Sequence, residues 1–201
     1  MTAMTIEKND PRSMRKATEC LSRGGIAILP TDTVYGFSGI VDIKGQEKKS
    51  TDGLIRRIKG RGEDKPFIQL IASPDEIERY TDDRIPQRLL SLWPGPLTII
   101  VHIKEDSPQD TDLKAIAFRC PGDTWLRKVI DQVGHPVYSS SVNRSGQPVL
   151  SSITDIEKEF SAEVQLIVRD GDKTGSLPST IVAMEGGAVK VIRQGALEIP
   201  A

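Results

Sequence analysis

Short apolar runs, each closed by proline or glycine and set between stretches of helical period, recur along this chain from Ile26 to Arg193. Such alternation leaves few folds open, because a strand that is apolar throughout must be covered on both faces and the intervening helices are what cover it. Asp10-Pro11 supplies a cap and a first-turn proline for a helix carrying Met14, Ala17, Cys20 and Leu21, stopped by Gly24-Gly25. Ile26 to Leu29 is a buried strand ended by Pro30, so that Pro30 to Gly36, "PTDTVYG", is a loop at the end of an interior strand.

The pattern continues to the other end. A helix from Ser50 or Thr51 carries Leu54, Ile55 and Ile58 and breaks at Gly60; Phe67 to Ala72 is a strand; Ser73-Pro74-Asp75-Glu76 opens a short helix. Arg84 to Trp93 reads as a helix halted by Pro94-Gly95-Pro96, and Leu97 to Ile103 as a β-branched strand. Ile116 to Arg119 is a strand, Thr124 to Val133 a helix, Val137 to Ser140 a strand, and a helix lies near Asp155 to Phe160. Strands near 165–169, 179–184 and 188–193 complete the chain, the last two joined by a Gly186-Gly187 hairpin signal. With 201 residues, no internal repeat and no linker, the expectation is a single α/β domain over 1–201, core about 10–197, with a mixed sheet.

Composition narrows function. Lys and Arg total 27 against 28 Asp and Glu, a net charge of −1, so no global field draws the molecule to nucleic acid or membrane and any anion site is built locally. Aromatic residues are 4% of the chain, too few for a stacking platform. Cys20 and Cys120 have no Cys or His at ligand spacing, which points to reduced thiols rather than a disulfide framework or zinc site. No apolar run approaches membrane-spanning length, and a cytoplasmic location is expected.

Polar clusters at 31–36, 59–65, 139–147 and 176–180, with Arg193 behind the last, each adjoin an apolar strand. Loops at strand ends are where open α/β sheets bind ligands, which makes one shared site the economical reading. Arg56 to Pro66 is the densest run of cations; guanidinium forks and ammonium groups at its Gly60 and Gly62 break suit a polyphosphate, although a charged run can equally be a solvated face. Tyr138 to Gly146 offers hydroxyls and an amide, as a polar turn also does. His102 and His135 sit in a strand pattern and before a proline, with no nucleophile triad, Walker loop or dinucleotide fingerprint anywhere. The residues alone reach an anionic small-molecule or polyphosphate site on an α/β sheet.

Seven segments, "GGIAILPTDTVYGFSG", "IKGRGEDKP", "LWPGPLTIIV", "IAFRCP", "SSSVNRSGQP", "LPSTIV" and "VIRQGAL", follow in the order of the YrdC-like threonylcarbamoyl-AMP synthase family, which the chain resembles from about residue 20 onward. The resemblance implies a twisted α/β fold with a mixed sheet and a concave, positively lined cavity of the kind suggested to hold double-stranded RNA or tRNA. It implies synthesis of L-threonylcarbamoyl-adenylate from L-threonine, bicarbonate and ATP, with Mg²⁺ held mainly by phosphate oxygens and no protein metal ligands, and a product passed to downstream proteins for the t6A modification of tRNA. Position by position it implies Lys59, Arg61 and Lys65 on the phosphates, the first two catalytic; Thr33, Tyr35, Ser139 and Ser179 around threonine; and Arg119 near its carboxylate. Ser141, Asn143 and Arg193 fall to ATP, with Ala115 and Val149 as main-chain contacts. The chain departs from the family where "YSSSVN" lacks a proline before the serines, where Arg144 adds a cation beside the nucleotide, and where Leu70 replaces a histidine. It ends soon after "VIRQGAL", as the short form does.

Overall fold

One mixed sheet of ten strands runs through the computed structural model, which describes residues 2–62, 66–185 and 188–199. The elements in chain order are β1 (Met4–Glu7), α1 (Ser13–Ser22), β2 (Ala27–Leu29), β3 (Gly36–Ile40), α2 (Thr51–Lys59), β4 (Ile68–Leu70), a 3₁₀ helix (Pro74–Arg79), α3 (Gln87–Leu90), β5 (Leu97–His102), β6 (Ala115–Arg119), α4 (Thr124–Val133), β7 (Val137–Ser141), α5 (Ile153–Phe160), β8 (Leu166–Arg169), β9 (Thr180–Glu185) and β10 (Ala188–Arg193). In space the strands lie in the order β1-β8-β2-β3-β7-β4-β6-β5-β9-β10. Parallel pairs β1·β8, β8·β2, β4·β6 and β5·β9 are combined with antiparallel ones, so the sheet is mixed, as expected.

Period-2 alternation sends each strand's side chains to two different layers. Ile28, Phe37 and Ile167 face α2 and α5, where they meet Ile55, Ile58, Ile156 and Phe160; the Phe37 and Phe160 rings pack edge to face at 4.9 Å. Farther along the same face, Ile99, Val101, Ile116, Phe118 and Val182 are covered by Ile77, Tyr80, Leu89 and Trp93 from the 3₁₀ helix, α3 and the segment after it. On the opposite face α1 and α4 bury Ala27, Leu29, Leu70, Val137, Leu166 and Val168. That pair of helices stops short of β5, β6 and β9. Their side chains on this face, Ile100, Ala117 and Ile181, line an open cavity instead.

Two local expectations are corrected, and two strands are unexpected. The first helix begins at Ser13, because the Asp10 carboxylate caps the turn ahead of it, accepting from the Arg12 backbone N–H at 2.8 Å. The helix expected over 84–93 is reduced to Gln87–Leu90: Pro86, with ψ 134°, holds the chain extended just before it, and Pro94 disfavours helix at Trp93. β1 escapes the sequence pattern because it is only four residues long, "MTIE", and largely exposed. β3, "GFSGI", carries no strand signal in the sequence, and its Gly36 reads as the end of the preceding loop, yet all five residues are buried. Its glycines are there for close approach: a Cβ on Gly36 would sit 2.8 Å from Ser139 Oγ, and one on Gly39 2.6 Å from Thr51 Cβ. The Gly186-Gly187 signal lies outside the described residues, although β9 and β10 pair antiparallel with Glu185 opposite Ala188.

Gly36→Ala is therefore expected to destabilise the fold by about 1–3 kcal/mol, since Ser139 on the paired strand has to move. Urea unfolding checks this, and an unchanged midpoint refutes it.

Candidate functional site

In-register neighbours across the sheet, Ser139–Ile68, Ile68–Ala117 and Ala117–Ile100, form the floor of the uncovered cavity. The β2–β3 loop with Thr31, Thr33 and Val34 makes one wall, Arg61 with Pro66 and Phe67 another, and Ser141 with Val149 a third. Pro178, Ser179, Ile192 and Arg193 close the far side around a volume of about 290 Å³. Thr33, Tyr35, Arg61, Arg119, Ser139, Ser141, Val149, Ser179 and Arg193, separated by up to 160 residues in the chain, all line this one space.

Arg119 ends β6 buried, only 4% exposed, with all three guanidinium nitrogens engaged. Nε donates to the Gly95 carbonyl at 3.1 Å, Nη1 to Thr33 Oγ1 at 2.9 Å and Nη2 to Asp32 Oδ1 at 2.6 Å. Burial pulls its pKa down, opposed by the Asp32 charge. Thr31 Oγ1 donates to the Val34 carbonyl at 2.8 Å and accepts from the Thr33 N–H at 3.0 Å, so the 2.9 Å contact between the two hydroxyls has Thr33 as donor. Thr33 thereby presents a lone pair to Arg119, and the loop order Thr-Asp-Thr is explained as a clamp on one guanidinium.

Arg193 grips the neighbouring segment: Nε and Nη2 donate to the Ser179 carbonyl at 3.2 and 2.7 Å, and Nη2 reaches Ser179 Oγ at 3.3 Å. Ser179 Oγ also pairs with Thr98 Oγ1 at 2.8 Å. Burial lowers the Arg193 pKa first and repulsion from Arg119 second, the mark of two like charges facing one space. Gly195 is required here, because a Cβ on it would lie 2.2 Å from the Pro178 carbonyl oxygen.

Three expected residues stand off the cavity wall. Lys59 is 3% exposed at the end of α2; its Nζ donates to the carbonyls of Ser141 and Asn143 and to Asn143 Oδ1, the latter two at 2.9 and 3.0 Å. Its ammonium is consumed in fastening the loop after β7, because the helix continues through residue 59 and carries the side chain beneath that loop. Asn143 is spent likewise: Oδ1 also accepts from Ser141 Oγ at 2.8 Å, and Nδ2 donates to the Arg144 and Gln147 carbonyls. Ala115 shares the face of Ala117 and Arg119 but lies a full strand repeat beyond the lining residues, opposite His102. Tyr35 borders the cavity, yet its hydroxyl turns away, donating to the Gly171 carbonyl and accepting from the Asp170 N–H, both at 2.7 Å, with burial pushing its pKa up to about 12. Lys65 lies outside the described residues.

The departures also find places. Arg144 is turned from the cavity toward Glu159 and Glu163 at 2.8 and 2.5 Å and lies over the Phe160 ring, so it adds no cation beside a nucleotide. Leu70 is buried beneath α4. Cys120 is fully buried, its thiol pushed up to about 12, which is unsuited to a nucleophile. Asp32 and Ser140 fell inside the polar clusters without a role of their own, and the apolar lining of Ile100 and Ile192 was not picked out from sequence. Strand geometry puts Ile100 on the face of β5 opposite Ile99 and Val101 once the strand is placed, whereas nothing local marked Ile192 or the outward turn of Asp32.

A model of the Sua5_yciO_yrdC family, described as "Telomere recombination", matches residues 19–195. The threonylcarbamoyl-AMP synthase of Pyrococcus abyssi is 27% identical over 202 residues, covering 96% of this chain and 57% of that protein. A putative threonylcarbamoyl-AMP synthase of Methanocaldococcus jannaschii is 30% identical, with 88% and 82% covered, and that of Photobacterium profundum 25% identical, with 91% and 99% covered. The structure of P. abyssi Sua5 complexed with L-threonine superposes with a TM-score of 0.82 at 25% identity, covering 97% of this chain and 58% of that one. The chain thus spans under two thirds of the P. abyssi protein.

Burial, with the Arg61 charge second, lowers the Lys59 pKa from 10.5 to about 8. Between those values the folded chain binds fewer protons at this site than the unfolded one, so its contribution to stability rises with pH. Denaturant unfolding from pH 8 to 10.5 should show wild type gaining on Lys59→Met across that window; a gap that narrows contradicts the buried clasp.

Proposed function

The chain belongs to the Sua5/YciO/YrdC family, and from that we propose that it is an L-threonylcarbamoyladenylate synthase, a nucleotidyltransferase joining L-threonine, bicarbonate and ATP with release of pyrophosphate. The observation that carries the reading is the convergence of Arg61, Arg119 and Arg193 with the hydroxyls of Thr33, Ser139, Ser141 and Ser179 on one cavity. No carboxylate lines that cavity among the described residues, so its wall attracts anions and spares them like-charge repulsion.

The chemistry asks little covalent help of the protein. The threonine amine combines with bicarbonate to give a carbamate, losing water; a carbamate oxygen then attacks the α-phosphorus of ATP, and the bond to the β-phosphate oxygen breaks as pyrophosphate leaves. Negative charge gathers on the departing phosphates, where Arg61 and Arg193 stand ready, while Arg119 takes the threonine carboxylate. The hydroxyls of Ser139 and Ser179 meet the remaining polar groups of threonine, and Ser141, held through Lys59 and Asn143, faces the nucleotide. Holding the two substrates side by side supplies the rest.

Magnesium is expected with the triphosphate. The described wall is one of N–H donors and hydroxyls, without carboxylates, and it does not fit the ion itself; no step is assigned to protein-bound metal. No helix among the described residues is long and apolar enough to cross a membrane. Delivery of the product to tRNA-modifying proteins belongs to the same proposal.

Purified protein with ATP, labelled bicarbonate and each amino acid in turn is expected to release pyrophosphate with threonine. Arg193→Ala should lower kcat/KM for ATP at least ~10-fold, the worth of a charge-assisted hydrogen bond. Release that ignores threonine, or salt-sensitive RNA binding without turnover, refutes the assignment.

A further inference from the structure

Asp32 lies between Thr31 and Thr33, both on the cavity wall, yet it is not itself part of that wall. Its carboxylate turns outward and meets Arg119 from behind, with Nη2 donating to Oδ1 at 2.6 Å. Together with Thr33 on Nη1 and the Gly95 carbonyl on Nε, it pins three edges of one plane, using three of the five N–H groups of an arginine. A guanidinium held at three edges cannot swing, and one further N–H on each Nη stays available. A side chain so deeply buried also needs a counter-charge whenever no ligand is present, since an unpaired buried ion is strongly disfavoured. Among the described residues Asp32 is the acid that forms an ion pair with it.

The place of the carboxylate is itself prepared. Gly122, just beyond β6, leaves the room it occupies: a Cβ there would lie 2.9 Å from Asp32 Oδ2 and 3.4 Å from its Cγ. Two residues that touch no substrate thus bear on the one that does.

We propose that Asp32, seated against Gly122, is a positioning residue that aims Arg119 at the substrate carboxylate and balances its charge in the empty site. This rests on the synthase reading for the identity of that carboxylate. Asp32 governs amino-acid affinity and leaves ATP affinity to Arg61 and Arg193.

The test compares Asp32→Ala, Asp32→Asn and Gly122→Ala in the full chain by steady-state pyrophosphate release, varying L-threonine and ATP separately. Asp32→Ala is expected to raise KM for threonine ~10-fold or more, the equivalent of one charge-assisted hydrogen bond, with KM for ATP within about 2-fold. Asp32→Asn keeps an acceptor oxygen but loses the counter-charge, and recovers only part of the affinity; Gly122→Ala, which displaces the carboxylate without altering it, falls between wild type and Asp32→Ala. A purely structural role would lower the folded fraction and kcat while leaving KM for threonine alone, and that result overturns the proposal, as does equal loss in the Asn and Ala variants. Should Asp32→Ala fail to fold, Gly122→Ala carries the comparison. A second readout needs no turnover: hydrogen exchange of the Arg119 Nε–H, followed by ¹⁵N NMR, should accelerate at least ~10-fold in Asp32→Ala and far less in Asp32→Asn. If wild type shows no threonine-dependent release, the synthase reading fails by itself, and exchange unchanged by Asp32→Ala then refutes the hold on Arg119.

Discussion

A buried guanidinium at the end of β6 has to find partners from elsewhere in the chain, and Arg119 finds them in the β2–β3 loop and in the backbone of Gly95. Those bonds tie it to segments 24 and 87 residues away in the chain. Because Thr33 and Asp32 hold the same group from two sides, the loop "PTDT" has one conformation compatible with a satisfied arginine. The cavity inherits its shape from that constraint, since Thr31 and Thr33 are wall residues by virtue of the same turn.

The remaining walls are built by the same logic with different groups. Lys59 fastens the loop after β7 by donating to two carbonyls and an amide oxygen, and Arg193 fastens the segment around Ser179. Cations therefore do two jobs, some as mortar and some as surface. Arg119 and Arg193 remain close enough to repel each other, and an anionic occupant relieves that repulsion. A polyanion beside a carboxylate is the complement of such a wall.

Position in the sheet explains why there is a cavity at all. Helices α1 and α4 cover the face over β2, β8 and the adjoining ends of β4 and β7, and leave Ile100, Ala117 and Ile181 uncovered. Small residues at Ser139 and Ala117 keep the floor low, and Gly36 lets β3 approach Ser139 closely enough to continue it. A bulky residue at any of these sites would fill the space that a ligand needs.

Strands such as β2, β5 and β8 and helices such as α2 and α4 were legible in the sequence, because apolar run length, 3.6-residue period and Gly or Pro stops are local properties of the chain. Polar clusters at strand ends were legible for the same reason, and Arg61, Arg119, Ser179 and Arg193 do meet around one cavity. β1 and β3 were not, since a short exposed strand and a glycine-rich buried one both lack a buried apolar run and owe their state to β8 and β7 alongside them. Nor did spacing reveal that Lys59 and Asn143 are turned inward to each other, that Tyr35 points its hydroxyl to Gly171, or that Asp32 backs Arg119. Residue type and neighbouring sequence determine which groups can carry charge or donate a hydrogen bond. Which partner each group meets depends on strands brought together from distant parts of the chain, and only the packed sheet decides that.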